Sequence, residues 1–352
     1  MPDPSPESTE RGDPGAAPRP GAGQPGAMAR AAEMMEKAGP GPLPLLRAGA
    51  PVTEAAELEA VAAGLGITAQ SQFRMALRRF LHHRIALIGL GWFLFLLLVS
   101  TITPLFWKYG YAEITNQFAT GPSAQHPFGT DTIGHDMFAQ VLRGTATSIK
   151  TAIVVAAIAT GVGTLIGAAA GYYGKWADAA LMRLTDLVLV VPLLAVLLVL
   201  ANTIKAQSSN WLLIALILAA LLWTYLARLV RGTFLSLRER EFVEAEHAIG
   251  ASDMRIIIRH MIPNAAGPIV VNATLTVANA VLIEAALSFL GLGIQPPEVS
   301  LGSLIAAGEG DATALPWLFY FPAAFLVTLV LSVNFVGDGL RDALDPSQRV
   351  RA

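Results

Sequence analysis

Six long runs without a single charged side chain dominate the chain: Ile85–Trp107, Thr151–Tyr173, Leu187–Ile204, Ala206–Ala227, Asn264–Ile283 and Ala312–Gly337. A helix needs about 20 apolar residues to cross the hydrocarbon core of a bilayer, and each run comes close to that length or exceeds it. Inside lipid every backbone N–H and C=O must find a partner within the protein, so only helices and closed barrels can cross. Barrel strands alternate in segments of about ten residues, a pattern these runs lack. The expected fold is therefore all-α: a polytopic membrane protein with six transmembrane helices, spanning about 85–106, 149–172, 184–204, 210–230, 265–291 and 313–337. Lys205 with Gln207, Ser208, Ser209 and Asn210 separates the third span from the fourth.

Composition agrees with a lipid environment. Charged residues make up only 14% of the chain against 54% hydrophobic ones, whereas a soluble domain carries about a quarter charged residues. The formal net charge of −2 and the lack of a basic tract give no electrostatic case for nucleic acid. With no cysteine, disulfides, thiol catalysis and cysteine metal sites are excluded. The apolar excess begins late: residues 1–50 hold 10 Pro and 8 Gly, a composition that opposes regular structure. Residues 1–72 are expected to be a disordered Pro/Gly/Ala-rich extension without the apolar core of a secretory signal, and residues 73–349 the membrane domain.

Six spans put both termini on one side. One side collects Arg74, Arg78, Arg79 and Arg84, the pair Lys175 and Arg183, six arginines between Arg228 and Arg259, and Arg341, Arg349 and Arg351. The other holds only Lys108, Arg143, Lys150 and Lys205. By the positive-inside rule the basic side, with both termini, is expected to be cytoplasmic.

Within the second span Gly163, Gly167 and Gly171 recur every fourth residue and share one helix face. Such a face lets a neighbouring helix approach closely enough for dispersion between the two backbones to hold the pair. Glu284 interrupts the fifth apolar stretch. A carboxyl group at that depth is costly, so it is read either as a contact in a translocation route or as a hydrogen-bonded packing residue. Pro192 in the third span is expected to be a tolerated kink.

Catalytic signatures are missing. The nearest approach to G-x-x-x-x-G-K-[ST] is Gly174-Lys175, where the earlier glycine position is Ala169 and Trp176 follows; no ATPase site is encoded. There is no H-E-x-x-H and no G-x-S-x-G. The six histidines are dispersed, and His82-His83, being adjacent, do not share a helix face. No catalytic residue and no metal site are expected. A secondary transporter or channel driven by an ion gradient is the alternative, although such proteins keep several intramembrane ionisable groups.

The loop at about 236–264 is the most informative segment. Gly250 is a natural stop for one short helix, Ser252 or Asp253 can cap the start of a second, and Pro263 is expected to end it. Met254, Ile257, Ile258 and Met261 fall at helical spacing as an apolar stripe, with Arg255 and Arg259 beside it. The product is an apolar, charge-rimmed bend that fits either a groove in another protein or the membrane surface.

The pattern E-A-x(4)-G followed by I-x(3)-H-x-x-P, here Glu244, Ala245, Gly250, Ile256, His260 and Pro263, resembles the coupling loop of binding-protein-dependent ABC importer permeases. Glu246 stands where that family commonly has a second Ala. The segments His126-Pro127-Phe128-Gly129-Thr130-Asp131 to Asp136, with His135 in place of the usual Arg, Leu287-Ser288-Phe289-Leu290-Gly291 and Gly337-Asp338-Gly339-Leu340-Arg341 are similar to the dipeptide, oligopeptide and nickel permease group, in particular its C-type subunit. The resemblance covers about Phe73 to Arg349. It implies a type I importer permease fold and a half-channel for di- or oligopeptides in the bacterial plasma membrane. It also implies a second homologous permease, an extracytoplasmic substrate-binding protein, and two ATP-binding cassette domains that bind the ATP and Mg. This chain would hold no cofactor. Glu244, Ala245, Gly250, Ile256, Ile257, His260 and Pro263 would shape and dock the coupling element.

Overall fold

The structure, a computed structural model, describes residues 72–192, 195–196, 199 and 210–344. The N-terminal extension, most of the third expected span beyond Pro192, Lys205 with the polar residues up to Ser209, and the chain after Leu344 lie outside the described residues.

A short amphipathic helix, α1 (Gln72–Phe80), leads into α2 (Arg84–Ile102). His83 caps α2: its Nδ1 accepts the Ala86 N–H at 3.1 Å. Pro104 closes α2 in a single 3-10 turn, Thr103–Leu105. Residues 106–136 form an irregular segment with two isolated bridges, Ile114 to His135 and Thr130 to Asp136. α3 (Met137–Tyr173) then runs for 37 residues, about 55 Å at 1.5 Å per residue, so it begins well before residue 149 and projects beyond a bilayer core. Asp136 starts it by accepting the Ala139 N–H at 2.8 Å, as an N-cap should.

After Gly174, α4 (Lys175–Val190) follows. The kink expected at Pro192 is sharp: α4 stops at Val190, Val191 is extended, with φ −74° and ψ 126°, and helical bonding resumes at Pro192, whose carbonyl accepts the Val196 N–H at 3.1 Å. The ring of Pro192 clashes with an α-helical residue before it and pushes that residue into the extended region. α5 (Trp211–Arg238) is capped by Asn210, whose Oδ1 accepts the Leu212 N–H at 2.9 Å. α6 (Glu241–Ala248) and α7 (Asp253–Phe289) make the bend described below. α8 (Leu301–Glu309) opens on a reciprocal Ser300/Ser303 capping box, and α9 (Pro316–Leu344) completes the described chain.

Among the described residues five helices are long and apolar enough to cross a membrane: α2 with its 3-10 turn, α3, α5, α7 and α9. The third expected span falls on α4, 16 residues long, and on residues mostly outside the described set. One apolar core, including Leu96, Ile149, Leu218, Val281, Leu301 and Leu329, joins α2, α3, α5, α7, α8 and α9. A second core lies at the basic end, where Tyr172, Val230, Phe234, Val243, Ile256 and Met261 meet.

The most extensive pairing among the described elements is α3 against α5. A side chain on Gly163 would meet the Trp223 carbonyl at 2.7 Å and the Leu226 Cβ at 3.0 Å; one on Gly171 would meet the Phe234 Cβ at 2.5 Å. Between them, a side chain on Gly167 would meet the Ala227 carbonyl and, at 2.8 Å, the Val230 Cβ. The three glycines therefore sit against consecutive turns of α5. Lipid tails are as apolar as Leu, so this pairing rests on close backbone approach and dispersion rather than on exclusion of water.

Candidate functional site

The bend at the basic end is made by two arms. The first, α6, ends at Ala248, and Gly250 then takes φ +79°, a conformation that costs an L-residue strain and glycine nothing. Gly250 also donates its N–H to the His247 carbonyl at 3.0 Å. Ser252, extended at φ −72° and ψ 147°, starts the second arm. Its first turn, Asp253–Arg255, passes into a π-helical stretch, Ile256–Met261, and then into the long α segment from Ile262 to Phe289.

The second arm is thus the start of a membrane helix and does not end at Pro263. Pro263 stands in the first turn of the α segment after the π stretch, within a continuous helix, where its missing N–H leaves one carbonyl of the preceding turn without a helical donor. The π stretch also divides the expected apolar stripe. Its wider i→i+5 turn shifts the helical phase, so Ile256, Ile257 and Met261 point into the second core at 0%, 7% and 0% exposure. Met254 and Ile258, with Ile249 from the first arm, stay outside at 60%, 57% and 78%.

Of the other coupling-loop residues, Glu244, Ala245, Gly250 and Pro263 are exposed and His260 is half-buried. His260 Nε2 lies 3.3 Å from Glu246 Oε1, tying the second arm to the first. The bend is also tied to α3: the Tyr172 hydroxyl donates to Asp253 Oδ1 at 2.8 Å and lies 3.4 Å from His247 Nε2. Arg238 reaches the Tyr172 carbonyl at 3.4 Å. Val243 is the inward anchor of the first arm, at 1% exposure. The result is an exposed apolar tip on a base fixed to α3, α5 and α7.

Glu284 lies elsewhere, enclosed at 1% exposure. Its Oε2 accepts from Ser148 at 3.0 Å and its Oε1 from Ser288 at 2.7 Å. Ser300, the α8 cap, donates to Ser288 at 3.2 Å, and the Leu301 N–H reaches Ser148 at 3.3 Å. The carboxyl group therefore joins α3, α7 and the start of α8 through hydroxyls, the geometry of a packing tie. Gly163, Gly167 and Gly171 hold α3 on α5, and the glycine face, Glu284 and the bend do not converge on one centre.

Sequence reasoning missed a constellation at the other end of α3. Asp136 receives His126 Nδ1 at 2.6 Å and Trp107 Nε1 at 3.1 Å while capping α3, and Tyr109 stacks on His126 at 4.6 Å. Both His126 and Asp136 are buried, at 1% and 0%. Arg143 adds a bidentate pair with Glu298, Nη2 donating to Oε1 at 2.7 Å and Nε to Oε2 at 3.2 Å. Nearby, Asp131 Oδ1 accepts the N–H groups of Ile133, Gly134 and His135, and Oδ2 meets His135 Nδ1 at 2.7 Å. His126, Asp131 and Asp136 all stood in a recognised motif, but nothing local says that positions ten apart pair with one another.

Comparison with known proteins follows the same division of the chain. A family described as the inner membrane component of binding-protein-dependent transport systems matches residues 163–350. One described as the N-terminal TM domain of oligopeptide transport permease C matches residues 71–127. The oligopeptide transport system permease protein OppC of Mycobacterium tuberculosis is 44% identical over 280 residues, 79% of this chain and 96% of that protein. The protein of the same name from Haemophilus influenzae is 38% identical over 283 residues, 80% and 90% of the two chains. Among solved structures, the MetNI methionine ABC transporter in inward-facing form aligns with TM-score 0.47 and 19% identity, over 59% of this chain and 98% of that one. The family match takes in the glycine face, the bend and the last membrane helix together, and the relatives align over about four-fifths of the chain: this chain is a multi-pass membrane protein of the family of inner membrane components of binding-protein-dependent transport systems.

Proposed function

We propose that the chain is one of two permease subunits of an ATP-driven ABC importer for di- or oligopeptides. It forms half of the translocation path in the bacterial plasma membrane, with both termini cytoplasmic. A second, homologous permease supplies the other half, and an extracytoplasmic binding protein delivers the cargo. Two ATP-binding cassette domains bind the ATP and Mg; this chain performs no covalent chemistry and holds no cofactor. The names of its relatives support peptides as the cargo class. Residues 73–349 do the work, and the N-terminal extension is dispensable for transport.

The observation that carries this reading is the exposed tip of Ile249, Met254 and Ile258 on a buried base. Burying one such side chain in a partner's groove contributes about 1.5–3 kcal/mol. The arm that holds Met254 and Ile258 continues without a break into α7. A push on the tip therefore turns a membrane helix instead of bending a loop, which is how closure of the ATPases can become alternating exposure of a path. Glu284 supports this reading over an ion-driven one, because its carboxyl group is sealed among hydroxyls.

The test uses the full importer in proteoliposomes. Uptake of radiolabelled trialanine is expected to need ATP on the tip side and the binding protein outside. Met254→Asp with Ile258→Asp is expected to abolish co-purification of the ATPases while the chain stays membrane-inserted. Uptake driven by a proton gradient alone, or ATPase retention by the double variant, would overturn the proposal.

A further inference from the structure

Between α5 and α7 lies a cavity of about 240 Å³ lined by Leu222, Tyr225, Asn272, Leu275, Thr276 and Asn279. Asn272, Thr276 and Asn279 fall at i, i+4 and i+7 and share one face of α7, near the middle of a helix otherwise apolar enough to cross a membrane. Thr276 satisfies its own hydroxyl by donating to the Asn272 carbonyl at 2.8 Å. The two carboxamides and the Tyr225 hydroxyl have no hydrogen-bond partner among the described residues. Tyr225 is 68% exposed and Asn279 is exposed as well.

Each carboxamide offers two donors and an acceptor. Polar groups at membrane depth that lack a partner are costly against lipid and belong against water or protein. The patch is also free of charge: neither acid nor base lines the cavity. Such a surface cannot select the charge of a cargo side chain, but it presents the complementary donors and acceptors for an amide. We infer that Tyr225, Asn272 and Asn279 form a water-facing subsite of the translocation path that hydrogen-bonds the main-chain amides of a passing peptide. This inference rests on the peptide importer reading above and assigns that path its contact residues.

The chain contains no cysteine, so single substitutions give clean labelling sites. In the assembled importer, Asn272→Cys, Asn279→Cys and Tyr225→Cys are expected to react with a membrane-impermeant, sulfonate-bearing methanethiosulfonate, which needs a hydrated thiolate. Val327→Cys and Leu331→Cys, at apolar α9 positions 55% and 46% exposed, serve as lipid-facing controls and are expected to resist. Resistance of the α7 positions equal to that of the controls would bury them against the second permease and overturn the inference. Labelling needs no transport, so it decides the wet face even if trialanine proves not to be a cargo. For the amide contact, Asn272→Leu with Asn279→Leu is expected to slow trialanine uptake about tenfold, as loss of a net hydrogen bond or two would. Serine at both positions is expected to restore most of the rate, with ATPase co-purification unchanged throughout. Unaltered uptake by the leucine pair, in an importer that does carry trialanine, would equally overturn it.

Discussion

His260 and Glu246 face each other across the bend, imidazole Nε2 to carboxylate Oε1 at 3.3 Å, with side chains 29% and 22% exposed. Glu246 is the residue by which the first arm departs from the coupling-loop pattern it resembles, so this clasp depends on that departure. The arms themselves are seated by Val243, Ile256 and Met261, which makes the clasp an addition to a base that already stands. A partly exposed pair of this kind contributes up to about 1 kcal/mol. We predict that Glu246→Ala and His260→Ala each lower the melting temperature of the purified importer slightly, and that the double variant loses no more than the larger single loss. Strict additivity in that cycle would show that the two side chains do not interact.

Much of the architecture was legible because its signals are local. An uncharged run of membrane length specifies a helix almost regardless of its neighbours, and a four-residue glycine repeat marks a face wherever the helix lies. Gly250 was legible for the same reason, since a helix end followed by a polar start needs a left-handed residue between them. The misreadings arose where local rules compete. Pro263 reads as a stop by composition, yet after the π stretch it begins an α segment. The stripe Met254, Ile257, Ile258 and Met261 assumed a constant period, and the π turn moved Ile257 and Met261 inside. Ties such as Tyr172 to Asp253 and Ser148 to Glu284 join residues 81 and 136 positions apart, a distance at which no periodicity carries information.

Gly250 gives a sharper test of the bend. With φ +79° and nothing within 4 Å of a built side chain, the position constrains backbone conformation and not volume. Asn tolerates the left-handed region better than other L-residues, so Gly250→Asn is expected to keep ATPase co-purification near the native level. Pro fixes φ near −65° and has no N–H, so Gly250→Pro loses both the turn and the bond to the His247 carbonyl. Co-purification is expected to disappear while membrane insertion persists. Equal behaviour of the two variants would separate the bend from docking.

The α3 and α5 pairing predicts opposite outcomes for two glycines on one helix. A methyl group on Gly167 meets the Ala227 carbonyl and the Val230 Cβ, whereas one on Gly161 meets nothing within 4 Å. Gly167→Ala must push two backbones apart and is expected to destabilise by about 1–3 kcal/mol. Gly161→Ala relieves the helix of a flexible residue and is expected to be neutral or stabilising by up to about 1 kcal/mol. Thermal unfolding of the two variants in one detergent measures the contrast; the same shift in both would mean that the helices do not meet along this face.

Asp178, in the first turn of α4, and Arg231, on α5, make a two-point contact: Nη2 donates to Oδ2 at 2.6 Å and Nε to Oδ1. The Arg231 hydrogen bonds hold the Asp178 carboxyl below the usual carboxylate range, outweighing the opposite effect of partial burial. A depressed folded-state value means that the unfolded chain binds the proton more readily. The pair therefore stabilises fully above the unfolded carboxyl value of about 4, and that contribution fades as pH falls through the lower folded value. Asp178→Asn removes the charge but leaves one acceptor. The native protein is expected to melt higher than the variant at pH 7, with the gap constant down to about pH 5 and closing between about pH 4 and pH 2. A gap that stays constant across that acid range would show that the charge on Asp178 contributes nothing to holding α4 against α5.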